Sequence, residues 1–337
     1  MPPRWARRLL LPVILLVEAW LLAAFGAGAG VAALLWPFSK RHRELRVAAF
    51  GVDYLSTDLA AVGACGWLWL RRSTSAQPAG WWEEEHYRLL GWALKRVLTA
   101  AHELFQFQVA WREPEDNGAL VDDGPVLVLS RHGGPGDSFV VAHALIDRYA
   151  RRPRIVLKEM LALDPALDLI LSRLGSCFLP SSAIPGHGLP DQLAKVASEL
   201  RGRDALLVFP EGGNWTPSRR RRAIDKLRAR GKRRAAARAE QMPHVMPPRP
   251  AGFLACVDAT PDARIVVIAH TGLEEIITAR AGWSALPLRR PMEVSWWEAD
   301  RATLPVGEEP RSGWLHEQWG QVERWITDHG SDEPLTW

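Results

Sequence analysis

A chain of 337 residues is long enough for one domain plus an appendage, and its 47% of hydrophobic residues excludes an intrinsically disordered protein. Its three cysteines lie far apart without a pairing motif, which excludes a disulfide framework and a cysteine-based zinc site. The net charge of +4 arises from residues 219–240, where eleven Lys and Arg against two acids leave the remainder at −5. This local excess predicts a local anionic partner, either phosphates or an anionic membrane surface, and not the chain-wide basic surface of a nucleic-acid-binding protein.

The N-terminal part of the chain contains a long apolar segment. Residues 9–38 are apolar apart from Glu18, and about 30 residues exceed the roughly 20 that a helix needs to cross a bilayer. A cleaved signal peptide is the alternative, since basic residues precede the segment, but the apolar run is longer than that of a typical signal peptide. We therefore expect a membrane segment that is retained.

A second apolar stretch, residues 45–70, contains Asp53 and Asp58. It either completes a membrane hairpin, lies at the membrane interface or packs under the following domain. Basic clusters occur before the first stretch, between the two and after the second, so the positive-inside rule does not fix the topology. Residues 1–75 are thus predicted to be a membrane-anchoring segment.

An amphipathic helix is predicted over residues 81–109. Its apolar side chains recur at helical spacing: Leu90, Leu94, Val97, Leu98, Ala101, Leu104 and Phe105. Trp81 and Trp82 at its start suit an interfacial aromatic belt, although packing against protein explains them equally well. Residues 76–110 are therefore predicted to be an interfacial helix.

From residue 125 onward, predicted strands and helices alternate. Strands are expected at 126–130, 154–157, 205–209 and 264–269, with helices at 138–150, 165–174 and 188–201, then a strand at 293–297 and a polar helix near 309–328. This alternation predicts an α/β domain over residues 111–337, with a mostly parallel central sheet flanked by helices. An N-terminal membrane helix or helical hairpin completes the predicted fold.

The strand at 126–130 leads into a glycine-rich loop that carries His132 and Asp137. An α/β sheet presents its functional groups beyond the carboxyl ends of its strands. The glycines let the carboxylate of Asp137 bend back to one imidazole nitrogen, which fixes the tautomer and leaves the other nitrogen free to take a proton from a hydroxyl. The alternative is that Asp137 is the N-cap of the following helix and His132 an ordinary loop residue.

A second carboxylate follows the strand at 205–209, where Glu211 is succeeded by Gly212, Gly213 and Asn214. Two such loops at one edge of a sheet can face a single cleft. Between them in the chain, a turn with Gly175 and Phe178 would form a wall of that cleft.

These blocks resemble the glycerolipid acyltransferases, a family that includes the 1-acylglycerol-3-phosphate O-acyltransferases. Over roughly residues 85–275, His132 to Asp137 is similar to the family's H-x4-D block, residues 175–181 to its second block and residues 209–212 to its third. Residues 246–253 resemble the fourth block of the branch that includes lysocardiolipin and lysophosphatidylinositol acyltransferases. Lys158 stands where the family often has a lysine before its second block.

The resemblance implies a membrane-bound enzyme with acyl-CoA as co-substrate, without a cofactor or metal, and with its catalytic domain on the cytoplasmic side. His132, oriented by Asp137, would be the general base. It would deprotonate the hydroxyl of a lysophospholipid or related glycerolipid, which attacks the thioester directly without an acyl-enzyme intermediate.

The resemblance also implies substrate contacts. Lys158, Gly175, Phe178, Glu211, Gly212, Gly213 and Asn214 would bind or position substrate, and Arg249 would offer a forked cation to a phosphate. Alternatively, the third-block glycines serve a tight turn and Arg249 a surface salt bridge. Residues 219–240 would meet an anionic membrane surface or the phosphates of CoA; a solvated helix is the alternative, and a helix that binds nucleic acid is the weaker option.

Two departures from the family pattern bear on the identity of the acceptor. Ser181 stands where the second block usually ends in arginine, and Gly213-Asn214 where the third block often continues Thr-Arg. Phosphate contact would then fall to Arg219, Arg220 or Arg249, or the acceptor is not lysophosphatidic acid.

Two other functions compete with acyl transfer. Residues 136–139 also resemble the nucleophile block of GDSL-type serine esterases, but none of the ten histidines has the aspartate three residues earlier that those enzymes require. A membrane-anchored lipid-binding module with little or no catalytic activity is the second alternative. The intact pair of His132 and Asp137 argues against it.

Overall fold

The computed structural model describes residues 4–39, 41–114, 118–179 and 188–330. They divide into two compact units. The first unit comprises residues 1–107, 157–184 and 286–289, and the second comprises residues 108–156, 185–285 and 290–337. The predicted anchoring and interfacial segments belong to the first unit except for a few residues, and the membrane roles assigned to them stay predictions.

The described residues form helices and strands that we number in chain order. The helices are α1 (Arg4–Leu34), α2 (Arg43–Thr74), α3 (Trp81–Phe105), α4 (Gly118–Val121), α5 (Asp137–Asp147), α6 (Pro165–Leu171), α7 (Leu189–Ser198), α8 (Pro217–Ala229), α9 (Arg233–Glu240), α10 (Pro250–Ala259), α11 (Ala279–Ala285) and α12 (Glu308–His329). The strands are β1 (Val109–Arg112), β2 (Val126–Ser130), β3 (Arg152–Lys158), β4 (Cys177–Leu179), β5 (Asp204–Val208), β6 (Arg264–Thr271) and β7 (Met292–Ala299).

The first unit is built around α1, α2 and α3. Within the described part of the chain, one helix is long and apolar enough to span a bilayer, Trp5–Leu34. Apart from Glu18, the residues of its apolar stretch are exposed or half-buried. The second apolar stretch forms α2, which packs between α1 and α3. Its Asp53 accepts from Arg96 of α3 at 2.6 Å, so this acid of the apolar stretch has a charged partner.

The seven strands form a mixed sheet in the order β1-β7-β6-β2-β5-β3-β4. All the pairings with a defined register are parallel except that of β6 with β7. In the second unit β2, β5 and most of β6 are buried along their length, because helices cover them. This confirms the predicted α/β fold with a mostly parallel sheet.

The predicted elements agree with the structure to within a few residues, with one notable difference. Strand β2 coincides with its predicted range, and the tail strand is β7, the antiparallel member. The helix predicted to reach residue 109 ends at Phe105, because Gln106 takes a left-handed conformation with φ of 60°. Val109 then begins strand β1 and pairs with Met292.

The basic segment 219–240 folds into most of α8 and all of α9. The two helices share a small core of Ile224, Ala236 and Ala239, with Leu227 packed against it. Arg220 stabilises this pair of helices, because its guanidinium donates to the backbone carbonyls of Ala239, Glu240 and Met242. The other arginines of the segment are exposed on this folded pair of helices and the turn between them.

Candidate active site

The loop after β2 brings His132 and Asp137 together. Nδ1 of His132 lies 2.9 Å from Oδ2 of Asp137, and the backbone N–H of Gly134 donates to the same oxygen at 3.3 Å. Gly136, with φ of +88°, is the N-cap of α5, and Asp137 is the first helical residue. Asp137 is therefore not the N-cap of this helix, contrary to the alternative interpretation.

The carboxylate of Asp137 is fully buried, whereas the side chain of His132 is 18% exposed. Burial alone would raise the pKa of Asp137, but the hydrogen bond from His132, the nearby His270 and the Gly134 N–H hold that pKa below its ordinary value. An ionised Asp137 accepts a hydrogen bond from the N–H at Nδ1 of His132. Nε2 is then the nitrogen that can receive a proton.

His132 is contacted by Phe209, the first residue of the third block, and by Trp215, which follows that block. The ring of Phe209 lies 4.5 Å from the imidazole, centroid to centroid. The backbone N–H of Trp215 donates to the His132 carbonyl at 2.7 Å. These contacts join the first and third blocks, and the sequence analysis assigned no role to either residue.

Glu211, expected to position the acceptor, is only 1% exposed. Its Oε1 accepts from the indole N–H of Trp319 at 3.1 Å. Burial raises the pKa of Glu211 to about 8, although the charge of Arg131, the Trp319 N–H and the backbone N–H groups of Met246 and His132 all oppose the rise. Glu211 is therefore an interior group held beside the loop.

The remaining third-block residues meet the fourth block. Gly212 has φ of +69°, and a Cβ there would lie 2.9 Å from Cζ of Arg249. The backbone N–H of Arg249 donates to the Pro210 carbonyl at 2.9 Å. Its guanidinium is exposed and has no carboxylate partner among the described residues. Gly213 is buried and Asn214 half-buried, with the Asn214 carbonyl accepting from Arg219 at 3.2 Å.

Lys158, Gly175 and Phe178 belong to the first unit, whereas His132 belongs to the second. Lys158 is the last residue of β3, and Phe178 is half-buried in β4. Gly175 has φ of +69° in the turn that follows α6, where glycine avoids strain. Ser181 lies outside the described residues.

Arg131, His270 and Glu274 lie beside the loop, and the sequence analysis missed all three. The guanidinium of Arg131 is fully buried and pairs with Glu274, while His270 lies 3.5 Å from Oδ2 of Asp137. Burial lowers the pKa of His270 to about 4, which keeps the ring neutral at ordinary pH. One signal was available: His270 stands directly after a predicted strand, at the sheet edge where His132 was expected.

The described residues contain no group of three or more His, Cys, Asp or Glu that could hold a metal ion.

Comparison with known proteins gives two similarities. Residues 112–252 match the model of the Acyltransferase family. The crystal structure of the 1-acyl-sn-glycerophosphate (LPA) acyltransferase PlsC from Thermotoga maritima is similar in fold, with a TM-score of 0.56 and 14% identity, over 87% of this chain and 99% of that one. A comparison with curated proteins finds no match. The family match covers less than half of the chain and the structural similarity shows the fold alone. Together they support an acyltransferase domain over residues 112–252, and neither singles out a branch of the glycerolipid acyltransferases.

Proposed function

We propose that this protein transfers a fatty acyl group from acyl-CoA to the hydroxyl of a lysophospholipid or related glycerolipid, with His132 as general base. The hydrogen bond between His132 and the buried, ionised Asp137 carries the proposal. It leaves a half-buried imidazole with Nε2 as its proton acceptor. That is the arrangement a hydroxyl nucleophile requires.

The reaction follows from this arrangement in two steps. Nε2 of His132 takes the acceptor's hydroxyl proton as the oxygen forms a bond to the thioester carbon, and Asp137 stabilises the imidazolium. The tetrahedral intermediate then collapses, the C–S bond breaks, and the CoA thiolate takes the proton back from the imidazolium. No acyl-enzyme forms, and the histidine ends in its starting state.

Acceptor binding is assigned to the third and fourth blocks. The exposed guanidinium of Arg249 lies over Gly212 and is suited to a phosphate. Gly213 and Asn214 continue this loop, whereas the burial of Glu211 suits support of the loop better than contact with substrate. Lys158, Gly175 and Phe178 remain assigned to substrate binding because they lie in the second block or just before it.

We assign the protein to a membrane, through the exposed apolar α1, with the catalytic domain on the cytoplasmic side. The arginines of residues 219–240 would face an anionic lipid surface. Each basic side chain near such a surface contributes on the order of 1 kcal/mol.

The proposal is tested with membranes that contain the full chain, labelled acyl donors and a panel of lysophospholipids. Acyl-CoA is compared with acyl-carrier protein as donor, and His132→Ala membranes are the control. We expect transfer from acyl-CoA to at least one acceptor, lost in the variant. Binding of lysophospholipid without transfer from either donor would favour the lipid-binding module instead.

A further inference from the structure

A buried pair of side chains, Arg131 and His270, lies beneath the loop that carries His132. The Arg131 guanidinium donates to the His270 carbonyl, to Glu274 and, at 2.7 Å, to the His244 carbonyl. In return, Nε2 of His270 lies 3.0 Å from the Arg131 carbonyl. Each residue therefore binds the other's backbone, and the residue held in this way directly precedes His132.

The contact with the Arg131 carbonyl defines the protonation of His270. A carbonyl oxygen only accepts, so Nε2 of the neutral ring carries the proton. The same Nε2 is 3.5 Å from Oδ2 of Asp137, the oxygen that accepts from His132. The rings of His270 and His132 therefore both lie beside the same carboxylate oxygen.

The loop rests directly on this pair. A Cβ on Gly133 would lie 2.9 Å from Cε1 of His270 and 2.7 Å from Nη1 of Arg131. A Cβ on Gly134 would lie 2.7 Å from Cβ of Leu273. Glycine at both positions lets the backbone approach as closely as the hydrogen bond from Gly134 to Asp137 requires.

We propose that His270 is a positioning residue for acyl transfer: its ring holds the Arg131 backbone and keeps an N–H beside the carboxylate of Asp137, which sets the orientation and charge of the His132–Asp137 pair. The inference rests on the proposed function. The charged groups that face His270 are Asp137 from α5, Arg131 after β2 and Glu274 after β6. His270 acts through these groups and does not touch substrate.

A change at His270 has two expected effects. His270→Leu removes the N–H, so kcat falls by up to about tenfold, the value of one ordinary hydrogen bond, and KM is unchanged. Asp137 then presents more negative charge to the His132 imidazolium and favours the protonated ring. The acid limb of the kcat/KM profile therefore moves to higher pH. His270→Gln keeps an N–H at the position of Nε2 and restores most of both properties.

The test compares these two variants with wild type and with His316→Gln. His316 is a matched control, because its Nδ1 bonds the Ser312 carbonyl within α12. Folding is checked by circular dichroism, and nitrogen NMR of labelled histidine reports the His132 tautomer without requiring activity. A folded His270→Leu protein with the wild-type pH profile and His132 resonances would overturn the inference. An inactive wild type would overturn the proposed function instead, while the NMR comparison would still decide the role of His270.

Discussion

The guanidinium of Arg249 lies directly against the backbone of Gly212, so that a Cβ on the glycine would be 2.9 Å from its Cζ and Nη1. The two residues are far apart in sequence and belong to the third and fourth blocks. Gly212 has φ of +69°, a backbone conformation that residues with a side chain rarely adopt. One glycine therefore allows both the turn after β5 and the position of the exposed cation.

Replacing Gly212 should separate the effect of backbone strain on stability from the effect of displacing Arg249 on acceptor binding. Gly212→Ala is expected to lower the free energy of unfolding by about 1 kcal/mol, through the left-handed backbone, and to raise KM for a phosphate-bearing acceptor by displacing Arg249. Gly202→Ala is the matched control, because Gly202 has φ of +51° and a Cβ there would meet no atom within 4 Å. Denaturant unfolding and acceptor KM are measured for both. Equal effects of the two substitutions on KM would contradict the assigned role of Arg249.

Arg249 itself should matter for charged acceptors alone. Arg249→Ala is expected to raise KM for lysophosphatidic acid roughly 10–100-fold, since a hydrogen bond to a charged group contributes about 1.5–3 kcal/mol. The KM of Arg249→Lys should lie between those of wild type and Arg249→Ala, because lysine keeps the charge but lacks the forked pair of N–H donors. Monoacylglycerol is the neutral comparison, and Arg324→Ala on α12 controls for loss of a surface charge. A similar rise in KM for the neutral acceptor would argue against phosphate contact.

The proposed base and its partner should both be needed for turnover. His132→Ala is expected to lower kcat by roughly 10²–10⁴, the usual contribution of a positioned general base. Asp137→Asn keeps the shape but removes the charge that stabilises the imidazolium, so kcat also falls. Initial rates with labelled acyl-CoA measure both effects, and His102→Ala, an exposed imidazole of α3, is the control. Nearly intact activity in His132→Ala would remove the base assignment.

Local patterns in the sequence were enough to predict the elements that place His132. Strand β2 is an unbroken apolar run followed by glycine and proline, and its range was predicted residue for residue. Alternation of strands and helices likewise predicted a mostly parallel sheet. Both signals depend on neighbours a few positions apart, which periodicity and turn residues report.

Contacts between distant residues were not predictable in this way. Arg131 meets His270 across 139 positions, and Glu211 meets Trp319 across 108. Contacts between residues so far apart leave no periodic pattern in a single sequence. The sequence therefore placed Glu211 among the residues that position substrate but could not identify Trp319 of α12 as the hydrogen-bond donor to its buried carboxylate.

The buried carboxyl of Glu211 should make stability depend on pH. Its pKa of about 8 in the folded protein exceeds the ordinary value of 4.5, so the folded chain holds this proton more tightly than the unfolded chain does. The contribution is complete below about pH 4.5 and is lost as pH rises towards 8. The loss is on the order of 5 kcal/mol at most, from about 1.4 kcal/mol per pKa unit.

Glu211→Gln should remove this dependence, because the amide stays neutral and its oxygen can still accept from Trp319. We expect the variant and wild type to have similar Tm values near pH 5, and the variant to be the more stable by an increasing margin up to pH 8, with no further change above it. Glu317→Gln, an exposed carboxylate on the same helix as Trp319, should leave the Tm difference flat across this range. Thermal unfolding at half-unit pH steps measures all three proteins. A constant Tm difference between Glu211→Gln and wild type from pH 5 to 8 would mean that Glu211 is ionised throughout and that Arg131 neutralises it.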